Sequence, residues 1–327
     1  MKSFVSIIGG SGFLGTRLSA LLKEKDIQHK IFDISFDIDS PNYVNVEEMS
    51  SLNKLEHTSA IINLAAIHRD DIKPISRYDD VNIHGAENVC NYARKNNINK
   101  IIFTSSVAIY GFAPKNTGED GEPNFFNDYG RTKHQAELVY KSWQNEKPSE
   151  RSLIIIRPTV IFGEGNRGNV YNLLNQIYSK RFIMIGKGKN IKSMAYVENV
   201  AAFIEYNLDQ SNGIHIFNYI DKPDLDMNTL VKLVRNTLFK KNNVGIRLPT
   251  FVGFFIGYVA DIISNIFRIS LPISHIRIKK FLSDSMFSSS VNKTKFIPPV
   301  KLSEALIKTI KYEFIEDNKN KKKFYSE

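Results

Sequence analysis

Short apolar runs alternate with amphipathic stretches along the first half of the chain. The short runs are rich in β-branched residues, which is typical of buried strands, and the longer stretches repeat their apolar positions with a helical period. The pattern predicts strands at 4–8, 30–33, 60–66, 100–104 and 153–156, and helices at 13–24, 78–96 and 128–145. This alternation predicts an α/β fold, with a doubly wound parallel sheet covered by helices on both faces.

The pattern changes beyond Gly163, where shorter strands and helices are mixed. We therefore predict a main sheet domain over residues 1–165 and mainly a smaller C-terminal lobe over residues 166–327. A helix near 198–208 is expected to return to the main domain. The basic run at 318–323 is of low complexity, and we expect it to be mobile.

One apolar segment, at 248–274, stands apart from its surroundings. Its central part, 251–267, contains a single charge, Asp261, in 17 residues. That length is slightly short for a transmembrane helix, which needs about 20 residues. Three interpretations stay open: a buried helix of the small lobe, a helix lying in the membrane interface, and a helix that spans the membrane.

The net charge of +10 is placed unevenly along the chain. Residues 1–234 carry 27 basic and 27 acidic side chains, whereas residues 235–327 carry 17 basic and 7 acidic ones. This polarity suits an anionic partner, such as phosphate groups or an acidic membrane surface, although a solvated basic face is the plainer alternative. Nucleic acid is not favoured as a partner, because the basic residues lack interleaved aromatic residues and any recognisable binding module.

Cysteine and histidine usage also narrows the class of protein. Cys90 is the one cysteine, so an internal disulfide is impossible and a reducing, cytoplasmic setting is expected. The seven histidines are scattered without a spacing suited to metal ligands, and we predict no metal site.

Three glycines, Gly9, Gly12 and Gly15, follow the first predicted strand and open the first predicted helix. Glycines at this spacing allow a tight turn and let backbone N–H groups approach a phosphate at the N-terminal end of the helix. Asp33 closes the second predicted strand about twenty residues further on, where a carboxylate can bind a ribose hydroxyl. Because a carboxylate there repels a 2′-phosphate, the pattern predicts NAD rather than NADP.

A tyrosine and a lysine, Tyr129 and Lys133, are four residues apart on a predicted helix and therefore share one face of it. An ammonium close to a phenol oxygen favours the phenolate, which brings the phenol pKa down from its ordinary value of about 10. The tyrosine can then act as a general base. Ser106 follows a central strand, at a place where its hydroxyl can hydrogen-bond the same reacting oxygen.

In this order, the glycine loop, the serine and the Tyr–Lys helix resemble the extended short-chain dehydrogenases/reductases of the nucleotide-sugar epimerase type. The resemblance implies that 1–165 is an NAD-binding Rossmann domain and that 166–327 binds the substrate. It implies that the catalytic residues are Ser106, Tyr129 and Lys133. It implies cofactor contacts from Gly9, Gly12, Phe13, Leu14, Gly15, Asp33, Asn45, Val46, Leu64, Ala65, Ala66, Tyr129, Lys133 and Pro158.

Two departures from the family pattern are informative. Sugar 4,6-dehydratases of this fold carry an Asp–Glu pair just after the catalytic Ser or Thr, whereas this chain has Val107 and Ala108. Dehydration is therefore disfavoured, and the pattern fits an epimerase that oxidises a ring carbon and returns hydride to the other face.

Asn45 stands where the family usually has an acid that binds the adenine amino group.

The segments 65–71, 156–174 and 192–197 are similar to a bacterial group of this family, which inverts C4 of N-acetylglucosamine on undecaprenyl diphosphate for surface polysaccharides. The similarity implies a polyprenyl-diphosphate sugar as substrate, at the inner face of the cell membrane. The residues suggested for the substrate are His68, Arg69, Arg167, Asn169, Tyr196 and Arg277, with Asp70, Asp71, Lys279 and Lys280 nearby.

Two other functions stay open from the sequence. One is a soluble UDP-sugar 4-epimerase or reductase of the same family. The other is a non-catalytic NAD-binding regulatory protein, which would have no need of the complete Ser–Tyr–Lys set. A homodimer is expected because dimerisation through helices is usual in the family that this chain resembles.

Overall fold

A six-stranded parallel sheet forms the centre of the computed structural model, which describes residues 4–69, 72–267, 269, 274–318 and 320–325. The strands are β1 Phe4–Ile8, β2 His29–Phe32, β3 Thr58–Asn63, β4 Lys100–Thr104, β5 Ser152–Pro158, β6 Val160–Phe162, β7 Met184–Ile185, β8 Ile191–Lys192, β9 Met194–Tyr196, β10 Gly213–Tyr219, β11 Leu225–Asp226 and β12 Arg247–Leu248. The sheet order is β10-β5-β4-β3-β1-β2, so the chain starts inside the sheet and winds outward in both directions.

Helices cover both faces of this sheet. They are α1 Phe13–Glu24, α2 Ser76–Tyr78, α3 Gly85–Lys95, α4 Asp128–Asn145, α5 Asn169–Tyr178, α6 Val197–Tyr206, α7 Met227–Phe239, α8 Thr250–Phe267, α9 His275–Leu282 and α10 Leu302–Phe314. The α1 and α6 helices pack together on one face, and α3 and α4 pack together on the other. The doubly wound fold predicted from the sequence is therefore confirmed.

Most predicted elements agree closely with the observed ones, and the two differences lie next to the site. The strand predicted at 60–66 ends at Asn63, because the Asn63 side chain accepts the Ala65 N–H at 3.1 Å and turns the chain out of the sheet. The helix predicted at 78–96 is interrupted by a π-helical turn at Asp79–His84. Such turns are frequently found at functional sites.

The smaller layer is built from short strand pairs and the helices α5, α7 and α10, which enclose a separate apolar core. Two elements from the second half of the chain nevertheless belong to the main sheet: β10 is its edge strand, and α6 covers it together with α1. The domain boundary at residue 165 stays a prediction.

The α8 helix is the apolar segment singled out in the sequence, and it packs against α9. Its buried residues are Gly253, Gly257 and Ala260, while Phe251, Phe255, Tyr258, Ile262, Ile266 and Phe267 are more than half exposed. Among the described residues it is the one helix long and apolar enough to cross a membrane. The interpretation of a buried helix is therefore wrong for this chain, since small residues face the protein and large apolar ones face outward.

The mobility predicted for the basic run at 318–323 stays a prediction. Residues on its far side fold back, and Phe324 forms a parallel β-bridge with Asn166. The Phe324 N–H donates to the Gly165 carbonyl at 2.9 Å.

Candidate active site and dinucleotide site

The turn between β1 and α1 is closed so tightly that only glycine fits. Gly9 has a φ of +78°, and a Cβ there would lie 2.8 Å from the Ala65 backbone nitrogen. A Cβ at Gly15 would lie 2.6 Å from the Gly9 carbonyl oxygen. The α1 helix begins after Gly12, and no side chain caps it. Its first N–H groups are therefore left for an anion, which is the requirement of a pyrophosphate.

Asp33 lies just after β2, beside the glycine turn. Its carboxylate accepts the Ser11 N–H and the Ser35 N–H, each at 3.0 Å, so the acid and the turn are held together. Asn45 uses its side-chain oxygen to accept the Glu47 N–H at 3.2 Å. That oxygen keeps a second lone pair, so the contact predicted with adenine stays a prediction.

The loop after β3 is tied to the end of β1 by the Leu64 N–H, which donates to the Ile8 carbonyl at 2.9 Å, and to α4 by a buried amide. Asn63 donates to the Tyr140 hydroxyl of α4 at 2.7 Å. Val46, also predicted to line the cofactor site, is buried, and a Cβ at Gly85 of α3 would lie 2.8 Å from its side chain. Phe13 and Leu14 form the first residues of α1, and the loop residues are Leu64, Ala65 and Ala66.

His68 and Arg69 follow in the same loop, at its exposed side. Although His68 keeps accessible surface, the protein around its ring lowers its pKa by desolvation, and the positive charges of Lys133 and Arg69 lower it further. The imidazole is therefore neutral at physiological pH. Asp70 and Asp71 lie outside the described residues.

Lys133 of α4 is buried under the carboxyl end of β4. Its ammonium donates to the Thr104 carbonyl oxygen at 2.6 Å and lies 4.5 Å from the centre of the Phe103 ring. Desolvation lowers the pKa of Lys133 to about 7, and the Glu137 carboxylate one turn further opposes that shift. The charge on this lysine therefore depends on the acceptors that surround it.

Ser106 and Tyr129 lie at the same end of β4. Ser106 caps the turn that follows it, where its hydroxyl oxygen accepts the Ala108 N–H at 3.1 Å. Asn127 caps α4 by accepting the Gly130 N–H at 2.9 Å. A Cβ at Gly130 would lie 2.5 Å from the Ala108 oxygen, so glycine lets the helix approach the serine turn closely. The structure thus brings the three residues predicted to be catalytic to one strand end, while their roles stay predictions.

A buried ion pair supports this arrangement from below. The Arg157 guanidinium of β5 donates to both Glu137 carboxylate oxygens, at 2.8 and 2.6 Å, and to the Tyr110 hydroxyl at 2.5 Å. Tyr110 in turn donates to Asn218 of β10 at 2.9 Å. The network joins α4, the serine turn and two strands, and Pro158 follows directly as the buried last residue of β5.

The residues predicted to bind the substrate are less closely grouped. Arg167 pairs with Glu313 at 2.7 Å and stacks on Tyr171, whereas Asn169 is the exposed first residue of α5. Tyr196 is fully buried, and its hydroxyl contacts the Glu164 carboxylate at 3.0 Å. Arg277 is exposed in the first turn of α9. The Glu313 carboxylate already engages part of the Arg167 guanidinium, so a phosphate would have to share that group with Glu313 or displace it.

Sequence reasoning missed one residue that organises the site, Asn82. Its amide exchanges hydrogen bonds with the Ile67 backbone at 2.9 and 3.0 Å, and it donates to the Thr132 hydroxyl at 2.9 Å. It therefore ties the His68 loop to α4, from within the π-helical turn. No local pattern signals such a link, whereas the Asn127 cap is a standard helix start that the sequence does reveal.

The glycine cradle, the acid after β2 and the Ser–Tyr–Lys set at the end of β4 together define a Rossmann-fold enzyme of the short-chain dehydrogenase/reductase class. Residues 5–219 match the model of the NAD dependent epimerase/dehydratase family, and the chain belongs to that family. Its cofactor is NAD, which the uncapped α1 N-terminus and the tight glycine-rich turn fit.

Two curated relatives illustrate the range of the family. The chain is 44% identical, over 100% of both sequences, to the N-acetyl-alpha-D-glucosaminyl-diphospho-ditrans,octacis-undecaprenol 4-epimerase of Escherichia coli O157:H7. It is 24% identical to the UDP-glucose 4-epimerase of Vibrio cholerae, over 71% of this chain and 75% of that one.

Solved structures share the fold across nearly the whole chain. The UDP-N-acetylglucosamine 4-epimerase from Bacillus cereus superposes with a TM-score of 0.72 at 19% identity, covering 96% of this chain and 100% of its own. The Thermus thermophilus UDP-glucose 4-epimerase in complex with NAD gives a TM-score of 0.69 at 15% identity, covering 94% and 98%. At these identities the likeness confirms the fold alone.

Proposed function

We propose that this enzyme inverts C4 of N-acetylglucosamine carried on undecaprenyl diphosphate, converting it to N-acetylgalactosamine for surface polysaccharide synthesis. The observation that carries the proposal is the 44% identity, over the full length of both chains, to a relative named for a 4-epimerase of that lipid-linked sugar. The full-length match matters because the substrate lobe, and not only the cofactor domain, is shared.

In this proposal the Tyr129 phenolate oxygen takes the proton from the 4-hydroxyl of the sugar, while Ser106 hydrogen-bonds the same oxygen. The chemistry that bound NAD supplies is reversible hydride transfer at C4. Lys133 stabilises the phenolate, and the Thr104 carbonyl holds the lysine in place at 2.6 Å. The 4-keto sugar then rotates so that its other face meets the cofactor. Return of hydride to that face of C4, with return of the proton from Tyr129 to the 4-oxygen, gives the opposite configuration.

The absence of acids after Ser106 supports epimerisation over elimination of water. Val107 and Ala108 occupy the turn that Ser106 caps, and neither side chain can donate or accept a proton. Elimination needs an acid and a base next to the neighbouring carbon. The same keto sugar therefore has one favoured outcome here, which is return of hydride at C4.

We further propose that the enzyme is cytoplasmic and binds the inner face of the membrane peripherally, through α8 and α9. The exposed apolar side chains of α8 suit the acyl boundary, and Lys279 and Lys280 in the last turn of α9 suit anionic head groups. A lipid-linked diphosphate must be met at that surface, so this placement is consistent with the proposed substrate. We also propose a homodimer, which the family resemblance implies. Analytical ultracentrifugation tests it by measuring the mass of the protein in solution.

A second candidate is a UDP-sugar 4-epimerase, which the 24% identity to the UDP-glucose 4-epimerase of Vibrio cholerae favours. The two functions separate in one experiment. The purified protein is incubated with undecaprenyl-diphosphate N-acetylglucosamine and, separately, with UDP-N-acetylglucosamine, and the sugar is released and identified. Conversion of the lipid-linked sugar alone is expected. The Tyr178→Phe variant, which alters an exposed tyrosine, should convert it as well as the unaltered enzyme does and serves as the active control. Conversion of the nucleotide sugar alone would overturn the first proposal.

A further inference from the structure

Residues 320–325, which we call the strap, cross from the smaller lobe to the glycine turn. On the lobe side, the Phe324 N–H donates to the Gly165 carbonyl at 2.9 Å and the Arg167 N–H donates to the Phe324 carbonyl at 2.7 Å. These two bonds form a short parallel bridge with the chain at Asn166. A bridge made by the backbone holds the strap in register whatever its side chains are.

On the other side, the strap touches the residues that begin the dinucleotide site. The Phe324 ring lies 5.6 Å from the Phe13 ring, at the first residue of α1. The Lys322 ammonium donates to the Ser11 carbonyl oxygen at 3.1 Å, across 311 positions of sequence. The Ser11 N–H is the one that the Asp33 carboxylate accepts. Ser11 of the glycine turn is thus held by an acid from within and by a lysine from the strap.

We propose that the strap is a cofactor-retaining element, in which Lys322 is a positioning residue for the glycine turn and Phe324 is the anchor. The inference rests on the proposed function in one respect, namely that NAD is regenerated in each cycle. Such an enzyme gains nothing from releasing its cofactor. If the reduced form left between the two hydride transfers, the keto sugar could not be reduced and the cycle would stop. A segment that links the glycine turn to the lobe opposes that release.

Charge and connectivity both support this role. The pyrophosphate of a dinucleotide carries two negative charges and is held at the start of α1, next to Ser11 and Phe13. The exposed Lys322 ammonium adds a positive charge to that turn, an effect that salt screens over about 10 Å at 0.1 M ionic strength. The apolar Phe324 contact and the backbone bridge are not screened. Removing the lysine and removing the strap should therefore have different salt dependences.

The test measures how fast NAD leaves the protein in the absence of any sugar, by dilution into an enzyme that consumes free NAD. Removal of residues 320–327 should raise the dissociation rate about tenfold, and Lys322→Ala about threefold, as expected for loss of an exposed charged contact. Lys322→Arg should restore the original rate, because it keeps the charge and the donor. Lys323→Ala, which removes the same charge one residue away, is the matched control.

The increase caused by Lys322→Ala should shrink at 0.5 M salt, whereas the increase caused by Phe324→Ala should persist. A general loss of folding would not produce this difference, and thermal unfolding of each variant checks it directly. Equal dissociation rates for the full chain and the shortened chain would overturn the proposal. Because no sugar is present, a wrong assignment of the substrate leaves this result unchanged. Failure of the strap proposal can therefore be told apart from failure of the proposed function.

Discussion

Lys133 and Phe255 depart in opposite ways from the usual rule that charged side chains are exposed and large apolar ones are buried. Lys133 is a charged side chain buried at the end of β4, while Phe255 is a large apolar side chain 69% exposed on α8. Each departure carries a free-energy cost in an isolated soluble domain. The first is offset inside the protein by a carbonyl acceptor and nearby carboxylate, and the second has no partner among the described residues.

The comparison separates the chemistry of the enzyme from its location. Groups that move protons need an environment set by the fold, so the site at β4 is enclosed and cross-linked by hydrogen bonds. On the proposed function α8 meets lipid, which would supply from outside the protein the cover that its exposed apolar side chains lack within it. Changes in the first region should therefore affect turnover and stability, and changes in the second should affect binding to vesicles.

The largest expected effect comes from Tyr129→Phe, which removes the proposed base and leaves the helix intact. Turnover should fall by about 10³-fold or more, within the range of general acid–base catalysis. Bound NAD, measured after gel filtration, should remain at the level of the unaltered enzyme. Retention of ordinary turnover would contradict the role given to this hydroxyl.

The next effect concerns stability and tests the buried side of the comparison. Arg157→Met removes the guanidinium that donates to both Glu137 oxygens in the core and leaves that carboxylate, within the described part of the chain, only the Lys141 ammonium at 3.7 Å, and loss of one partner of a buried pair typically costs about 3–5 kcal/mol. Urea unfolding of the cofactor-free protein measures it. The double variant Arg157→Met, Glu137→Leu should recover most of the loss, because it removes both charges. A double variant as unstable as the single one would argue against ion pairing as the cause.

The exposed side of the comparison is tested by replacing two α8 side chains, Phe255→Ser and Ile262→Ser. Burial of each side chain in lipid contributes about 1.5–3 kcal/mol, or about 3–6 kcal/mol for the two, so the affinity for anionic vesicles should fall by at least about 100-fold. Turnover of a short-chain, water-soluble lipid analogue should be unchanged. The control is Ile38→Ser, which alters an equally exposed residue in the loop after β2. If the α8 double variant bound vesicles as tightly as the unaltered protein, α8 would be excluded as the membrane contact.

The last prediction, whose effect is the smallest over a single pH unit, is a pH dependence that belongs to Lys133. Its pKa is about 7 in the folded protein and near 10.5 when unfolded, so between these values the unfolded chain binds one more proton. Stability of the cofactor-free protein should therefore rise with pH across this window, by at most about 1.4 kcal/mol per pH unit. Lys133→Met should flatten the rise, and Lys279→Met, at an exposed lysine, should leave it in place. An equal slope in both variants would show that another group is responsible.

Local patterns of sequence were sufficient for the elements that build the cofactor site. Apolar runs predicted β1 and β4, and helical spacing predicted α4, because these signals depend on neighbours within one or two turns. Glycine spacing predicted the cradle at Gly9 because a missing side chain constrains the turn directly. The four-residue separation of Tyr129 and Lys133 was equally informative, because one helical turn fixes which side chains share a face.

Tertiary structure decided what those residues experience. The pKa of Lys133 depends on burial under β4, the guanidinium of Arg167 is held by Glu313, and Tyr196 lies in the core of the lobe. Local sequence patterns also could not predict the exposure of α8 or the contact of the strap with Ser11. Burial, ion pairing and docking join positions far apart in the chain, and their energies are set by which surfaces meet once the chain has folded.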